Sequence, residues 1–118
     1  MVRLLVVAAM LLAAAVPPAF AHALLRKAIP AVGATVHAAP TTVTLTFSEG
    51  VEPSFSTISV VDAKGARVDT GAPHNGVIKK ILIVGLQPLA AGTYTVEWHA
   101  TSVDTHKTEG KFTFTVAP

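Results

Sequence analysis

The sequence predicts an all-β domain, an immunoglobulin-like β-sandwich of about seven strands. Three observations point there. Short runs rich in Val, Thr, Ile and aromatic residues alternate apolar with polar side chains. Gly, Pro and Asn-Gly signals separate those runs at short intervals. Beyond residue 21 no stretch carries an amphipathic helical period of useful length.

Taken in order, Leu24 to Ile29 reads as a first strand, ended by Pro30 and Gly33. Pro40 precedes 41–47, Thr-Thr-Val-Thr-Leu-Thr-Phe, where Val43, Leu45 and Phe47 face the core and the threonines face out. Thr57 to Asp62 follows, with Lys64-Gly65 as its turn, and Arg67 to Asp69 adds a short piece of strand. Gly71 to Gly76, with Pro73 and Asn75-Gly76, reads as loop. Ile78 to Leu86 is the next strand, apolar on both faces in its second half. Gly92 to Thr101 alternates again, placing Tyr94, Val96 and Trp98 inward, and Gly110 to Val116 closes the sheet with Phe112, Phe114 and Val116 inward. Tyr94 sits just after a Gly turn, where its hydroxyl is expected to reach upstream backbone as in a tyrosine corner.

The length of 118 residues allows one domain. A net charge of +2 without a Lys/Arg run gives no basis for nucleic-acid binding. The first 21 residues read as an export signal. Arg3 supplies a positive start, Leu4 to Val16 an apolar stretch too short to span a bilayer, Pro17-Pro18 a break, and Ala19-Phe20-Ala21 a small-x-small cleavage signal. With no Arg-Arg pair and no cysteine, the general secretory route is expected, neither lipid-anchored nor disulfide-stapled, and a soluble product. The expected organisation is a leader over 1–21 and a β-sandwich over 22–118. A competing cut after Ala23 would leave Leu24 first.

The chemistry-bearing stretch is Ser102-Val103-Asp104-Thr105-His106-Lys107-Thr108-Glu109-Gly110. On an extended chain, residues i and i+2 face the same way, so Asp104 and His106 are expected to reach one point without a special turn. Alone they are a polar loop. Cleavage after Ala21 would add His22, whose free α-amine and ring nitrogen can chelate one metal ion. Three nitrogens and an oxygen suit Cu(II), with tetrahedral Zn(II) as the competitor. The chain has no Cys, and both methionines, Met1 and Met10, fall in the leader, so Cu(I) should be held poorly. His37, His74 and His99 are expected to be solvated, His99 on the face of Glu97.

These pieces together resemble the CopC family of periplasmic copper-binding and copper-resistance proteins. The matching residues are Ala21-His22-Ala23, Phe47-Ser48-Glu49, Leu89 to Tyr94, Trp98, and Ser102-x-Asp104-x-His106 with Gly110. The resemblance implies a Greek-key sandwich and a Cu(II) site made from His22, Asp104 and His106, with Glu49 beside it in a supporting role. It also implies a periplasmic role in copper resistance or homeostasis, sequestering or delivering the ion, and a membrane partner of the CopD type. A non-enzymatic monomer is expected. Two alternatives stand beside this reading: a copper-dependent oxidative enzyme with a terminal-histidine site, and a metal-free immunoglobulin-like envelope module. Two features depart from the family pattern. The stretch from Asp62 to Gly76 lacks the methionines of a Cu(I) loop. Thr105 and Lys107 stand where Gly and Pro are common.

Overall fold

The computed structural model describes residues 23–118. The expected leader, its cleavage site and His22 lie outside the described residues. Within them the chain forms two four-stranded sheets. In chain order the strands are β1 (Leu25–Ile29), β2 (Thr35–Val36), β3 (Thr42–Phe47), β4 (Thr57–Val61), β5 (His74–Asn75), β6 (Ile81–Gly85), β7 (Gly92–Thr101) and β8 (Lys107–Val116). One sheet runs β1-β3-β6-β5 and the other β2-β8-β7-β4. All neighbours are antiparallel except the short β2–β8 pair, which is parallel.

Alternation along the strands builds the core. Val43, Leu45 and Phe47 of β3 are buried, as are Ile58 and Val60 of β4, Leu82 and Val84 of β6, Tyr94, Val96 and Trp98 of β7, and Phe112, Phe114 and Val116 of β8. Their inward faces meet between the sheets, where hydrophobic burial supplies the driving force. Phe47 and Trp98 make an edge-to-face contact across the two sheets, with ring centroids 5.1 Å apart. The Tyr94 hydroxyl donates to the Ala90 carbonyl at 2.6 Å, the expected tyrosine corner.

The strand expectations need four corrections. Residues 78–80 are not strand: Ile81 N–H returns to the Ile78 carbonyl at 3.1 Å, so a turn occupies the first part of the expected run. The stretch expected as loop contains β5, whose residues pair with Ile83 and Leu82. The last strand begins at Lys107, three residues before Gly110, because the β7–β8 ladder continues through Thr101↔Lys107. The two-residue strand β2 was not expected at all, since two residues carry no pattern.

One polar lock holds the flank of the second sheet. Asp69 has a side chain only 1% exposed, and it accepts from Arg67 Nε and Nη2, at 2.9 and 2.7 Å, and from the Val60 amide at 2.9 Å. Burial alone would raise its pKa, but the Arg67 guanidinium and the Val60 amide outweigh it and hold the carboxyl below its usual range.

Candidate metal centre

The long β7–β8 hairpin is closed by residues 102–106, and this turn carries Asp104 and His106. Its anchor is Ser102, 1% exposed. The Ser102 hydroxyl donates to the Asp104 carboxylate and accepts the His106 amide at 3.1 Å. Ser102 N–H donates to the His106 carbonyl at 2.8 Å, and Thr105 N–H to the Ser102 carbonyl at 2.9 Å. These bonds wrap the backbone around one buried hydroxyl.

The result brings the two expected residues together. His106 Nδ1 lies 3.3 Å from Asp104 Oδ2, with the side chains 52% and 45% exposed, so both can be approached from solvent. The route differs from the one expected of an extended chain. Thr105 between them adopts φ +72°, the left-handed region, so the pair meets across a tight turn. Gly enters that region without steric cost, so a β-branched Thr is held there against its preference. The Ser102 hydroxyl, and then the nearby His106 ring, hold the Asp104 carboxyl below its usual pKa, keeping it anionic at neutral pH.

Glu49 lies alongside. Its neighbour Ser48 pairs with Leu24 in both directions, through Ser48 N–H to the Leu24 carbonyl and Leu24 N–H to Ser48 Oγ, each at 2.8 Å. Its other neighbour, Gly50, accepts the Val103 amide at 3.0 Å. Glu49 therefore sits between the start of the described chain and the Asp104–His106 turn. Its Oε2 is buried with no hydrogen-bond partner among the described residues. A buried carboxylate oxygen without a partner is costly, and a positively charged or hydrogen-donating group would relieve it.

The start of the described chain is pinned at the same place. Ala23 is fully buried, and its carbonyl accepts from the Thr108 hydroxyl at 2.8 Å. Leu24 is held by Ser48 as above. So Ala23 lies between Ser48–Glu49 on one side and Thr108, two positions beyond His106, on the other. Sequence reasoning included Ser102 and Thr108 in the motif stretch but gave neither a role. Ser102 was legible in hindsight, since a Ser two residues before an Asp can bond it locally; Thr108 carries no local signal.

Asp104 and His106 are a pair and not a full ligand set: among the described residues, no three His, Asp or Glu side chains gather to hold a metal. The donors present are imidazole and carboxylate, which suit Cu(II) or Zn(II) and not a thiophilic ion. The other histidines lie elsewhere. His99 Nε2 is 3.3 Å from Glu97 Oε1 on the exposed face of the second sheet, His37 Nδ1 is 2.8 Å from the Ala117 carbonyl, and His74 is exposed on β5.

Comparison with known proteins returns a consistent picture. A family model described as the CopC domain matches residues 25–117. Protein YobA of Escherichia coli K12 is 48% identical over 102 residues, spanning 85% of this chain and 82% of the relative. The crystal structure of CopC from Methylosinus trichosporium OB3b superposes with a TM-score of 0.77 at 38% identity, over 82% of this chain and 95% of that one. The crystal structure of PcoC, a methionine-rich copper resistance protein from Escherichia coli, superposes with a TM-score of 0.72 at 34% identity, over 82% of this chain and all of that one.

Proposed function

The chain belongs to the CopC family of copper-binding and copper-resistance proteins, and from that premise we propose that it is a periplasmic protein that captures Cu(II) through the mature N-terminal residue His22 together with Asp104 and His106. Copper is its cargo. The protein sequesters the ion or delivers it, without catalysing a reaction.

The observation that carries this reading is the anchoring of Ala23. A residue bonded to Ala23 has its Cα only about 3.8 Å away. Ala23 itself is clamped between the Glu49 segment and Thr108. Ala23 is therefore held at the end of the molecule that carries the Asp104–His106 turn. Ala23 is also fully buried, which makes it part of the folded domain. That favours processing after Ala21, leaving His22 first, over a cut after Ala23. The resulting chain is 22–118, preceded by a leader over 1–21 that the general secretory route would remove.

The donor set fits the ion. Asp104 is anionic at neutral pH, His106 is half exposed, and the Glu49 carboxylate, one oxygen of which has no partner among the described residues, lies nearby. When bound, Cu(II) would draw on the α-amine and ring of His22, the ring of His106 and the Asp104 carboxylate. Glu49 would hold a ligating imidazole or the amine in orientation from outside the coordination shell. Cu(I) would be held poorly: PcoC is methionine-rich, whereas the methionines here are Met1 and Met10, both in the proposed leader. A membrane protein of the CopD type is the proposed recipient, and a monomer the proposed working state.

The test is a Cu(II) competition titration against a chelator on the exported protein and on His106→Ala. Loss of a ligand should exceed the ~10–100-fold typical of losing a residue that merely orients one. Glu49→Gln should fall within that smaller range. His106→Ala should leave the melting temperature nearly unchanged, since the side chain is half exposed on a turn. Unaltered copper affinity in His106→Ala would refute the assignment.

A further inference from the structure

The hairpin between β5 and β6 ends in Gly76-Val77-Ile78-Lys79-Lys80. Its tip is unusually apolar for a loop. Val77 is 95% exposed and Ile78 52%, and both lysines are exposed. Val77 and Ile78 adjoin, so the tip presents one exposed apolar patch flanked by two lysines, the kind of rimmed patch that marks an interaction surface.

The tip is rigid by construction. Gly76 N–H donates to the Ile81 carbonyl at 3.1 Å, and Ile81 N–H to that of Ile78 at 3.1 Å. Val51 N–H donates to the Lys79 carbonyl at 2.9 Å and Phe47 N–H to that of Lys80 at 2.8 Å, joining the tip to the end of β3. The Asn75 side-chain amide reaches the carbonyls of Val51, Lys79 and Ile81 at 3.2–3.3 Å. Gly76 permits the closure, because a Cβ there would stand 2.7 Å from Ile81. The tip also shares an end of the molecule with the candidate metal turn. A Cβ on Gly50 would stand 3.2 Å from Val103 of that turn and 3.3 Å from the Lys79 Cβ, so the two loops flank Gly50. Val103 is itself 50% exposed.

We propose that the Val77–Lys80 tip docks the protein on an anionic bilayer surface, with Val77 and Ile78 entering the headgroup–acyl boundary and Lys79 and Lys80 contacting lipid phosphates. The composition favours a bilayer over a protein partner. Protein interfaces are depleted in Lys, and their energetic centres are enriched in Trp, Tyr and Arg with few Val. Aliphatic residues beside lysines are what a membrane surface takes, apolar area for the boundary and cations for anionic lipid. A rigid tip loses little conformational freedom on binding. Docking this way would carry the Asp104–His106 turn to the membrane face. The functional meaning of that placement rests on the copper reading, while the docking itself does not.

The test is co-sedimentation of the processed chain, its start confirmed by mass, with vesicles of phosphatidylglycerol and phosphatidylethanolamine, against vesicles of phosphatidylcholine. Binding should be at least about tenfold tighter to the anionic vesicles and should weaken with salt. V77S/I78S should weaken it by more than about tenfold, from the apolar area no longer buried. K79Q/K80Q should weaken it and flatten the salt dependence. Both double variants alter exposed side chains, so unchanged Trp98 emission will confirm the fold. His106→Ala should sediment like the parent, so a failure of the copper reading would appear only in copper retention. Absence of binding to the anionic vesicles, or binding that neither double variant changes, would overturn the proposal. Binding only to vesicles that carry native inner-membrane proteins would overturn it in favour of a protein partner.

Discussion

Gly110 faces Trp98 across the β7–β8 ladder, and the indole lies directly over it. A Cβ added at position 110 would stand 2.6, 2.7 and 2.8 Å from three atoms of the Trp98 ring. Carbon contacts are favourable only at about 3.5–4.0 Å, so in Gly110→Ala the ring must recede by roughly 1 Å. There is no free space behind it. Trp98 is 6% exposed and abuts Phe47, which is 1% exposed. Forcing extra volume into such a core costs about 1–3 kcal/mol. For a domain of this size, each kcal/mol shifts the melting temperature by about 4–8 °C, which gives a drop of roughly 5–20 °C. Trp98 is the only tryptophan, so its fluorescence reports both the melt and the displacement of the ring. Lys111→Ala on the same strand removes an exposed side chain and is the control, expected within about 0.5 kcal/mol of the parent. If Gly110→Ala melts with the parent and its emission is unchanged, the indole does not pack on Gly110 and the reasoning fails.

Other outcomes follow from the same geometry. Asp69→Asn removes a buried charge that accepts from Arg67 and Val60, and should cost about 1.5–3 kcal/mol in urea unfolding. Because the folded-state pKa of Asp69 lies below its unfolded value of about 3.9, this contribution is complete above about pH 5 and is lost as pH falls through the folded pKa. The gap between parent and Asp69→Asn should therefore narrow in acid, and a gap that widens there would contradict the sign. Thr105→Gly relieves a β-branched residue held at φ +72°, a strain of about 1–2 kcal/mol, of which the freer unfolded chain takes back about 0.5–1. A rise in melting temperature of a few degrees is expected, and a fall would show that Thr105 is not strained.

Much of the architecture was legible in the sequence because one face of each long strand is buried. The period-two patterns of Thr42–Phe47 and Gly92–Thr101 located those strands within a residue, and Tyr94 announced its corner. Short pairings were not legible. His74–Asn75 and Thr35–Val36 owe their strand character to a neighbour and not to a pattern of their own. Ile78 misled, since an apolar residue heading an apolar run reads as strand and the structure leaves it exposed at a turn. At the site, the meeting of Asp104 and His106 was expected for the wrong local reason. Extended geometry was invoked, whereas the Ser102 hydroxyl and a left-handed Thr105 do the folding. The burial of Asp69 was also missed. Arg67 and Asp69 two apart on an extended stretch share a face, but nothing local reveals that the carboxylate turns inward to the Val60 amide.

The most direct test of the terminal-histidine copper site is the intact mass of the exported protein under native conditions, before and after one equivalent of Cu(II). The expected result is a chain that begins at His22 and retains a single copper ion. A chain beginning at Leu24, one still carrying its leader, or one beginning at His22 that keeps no copper would contradict the site. Asp104 and His106 would then be an ordinary polar turn.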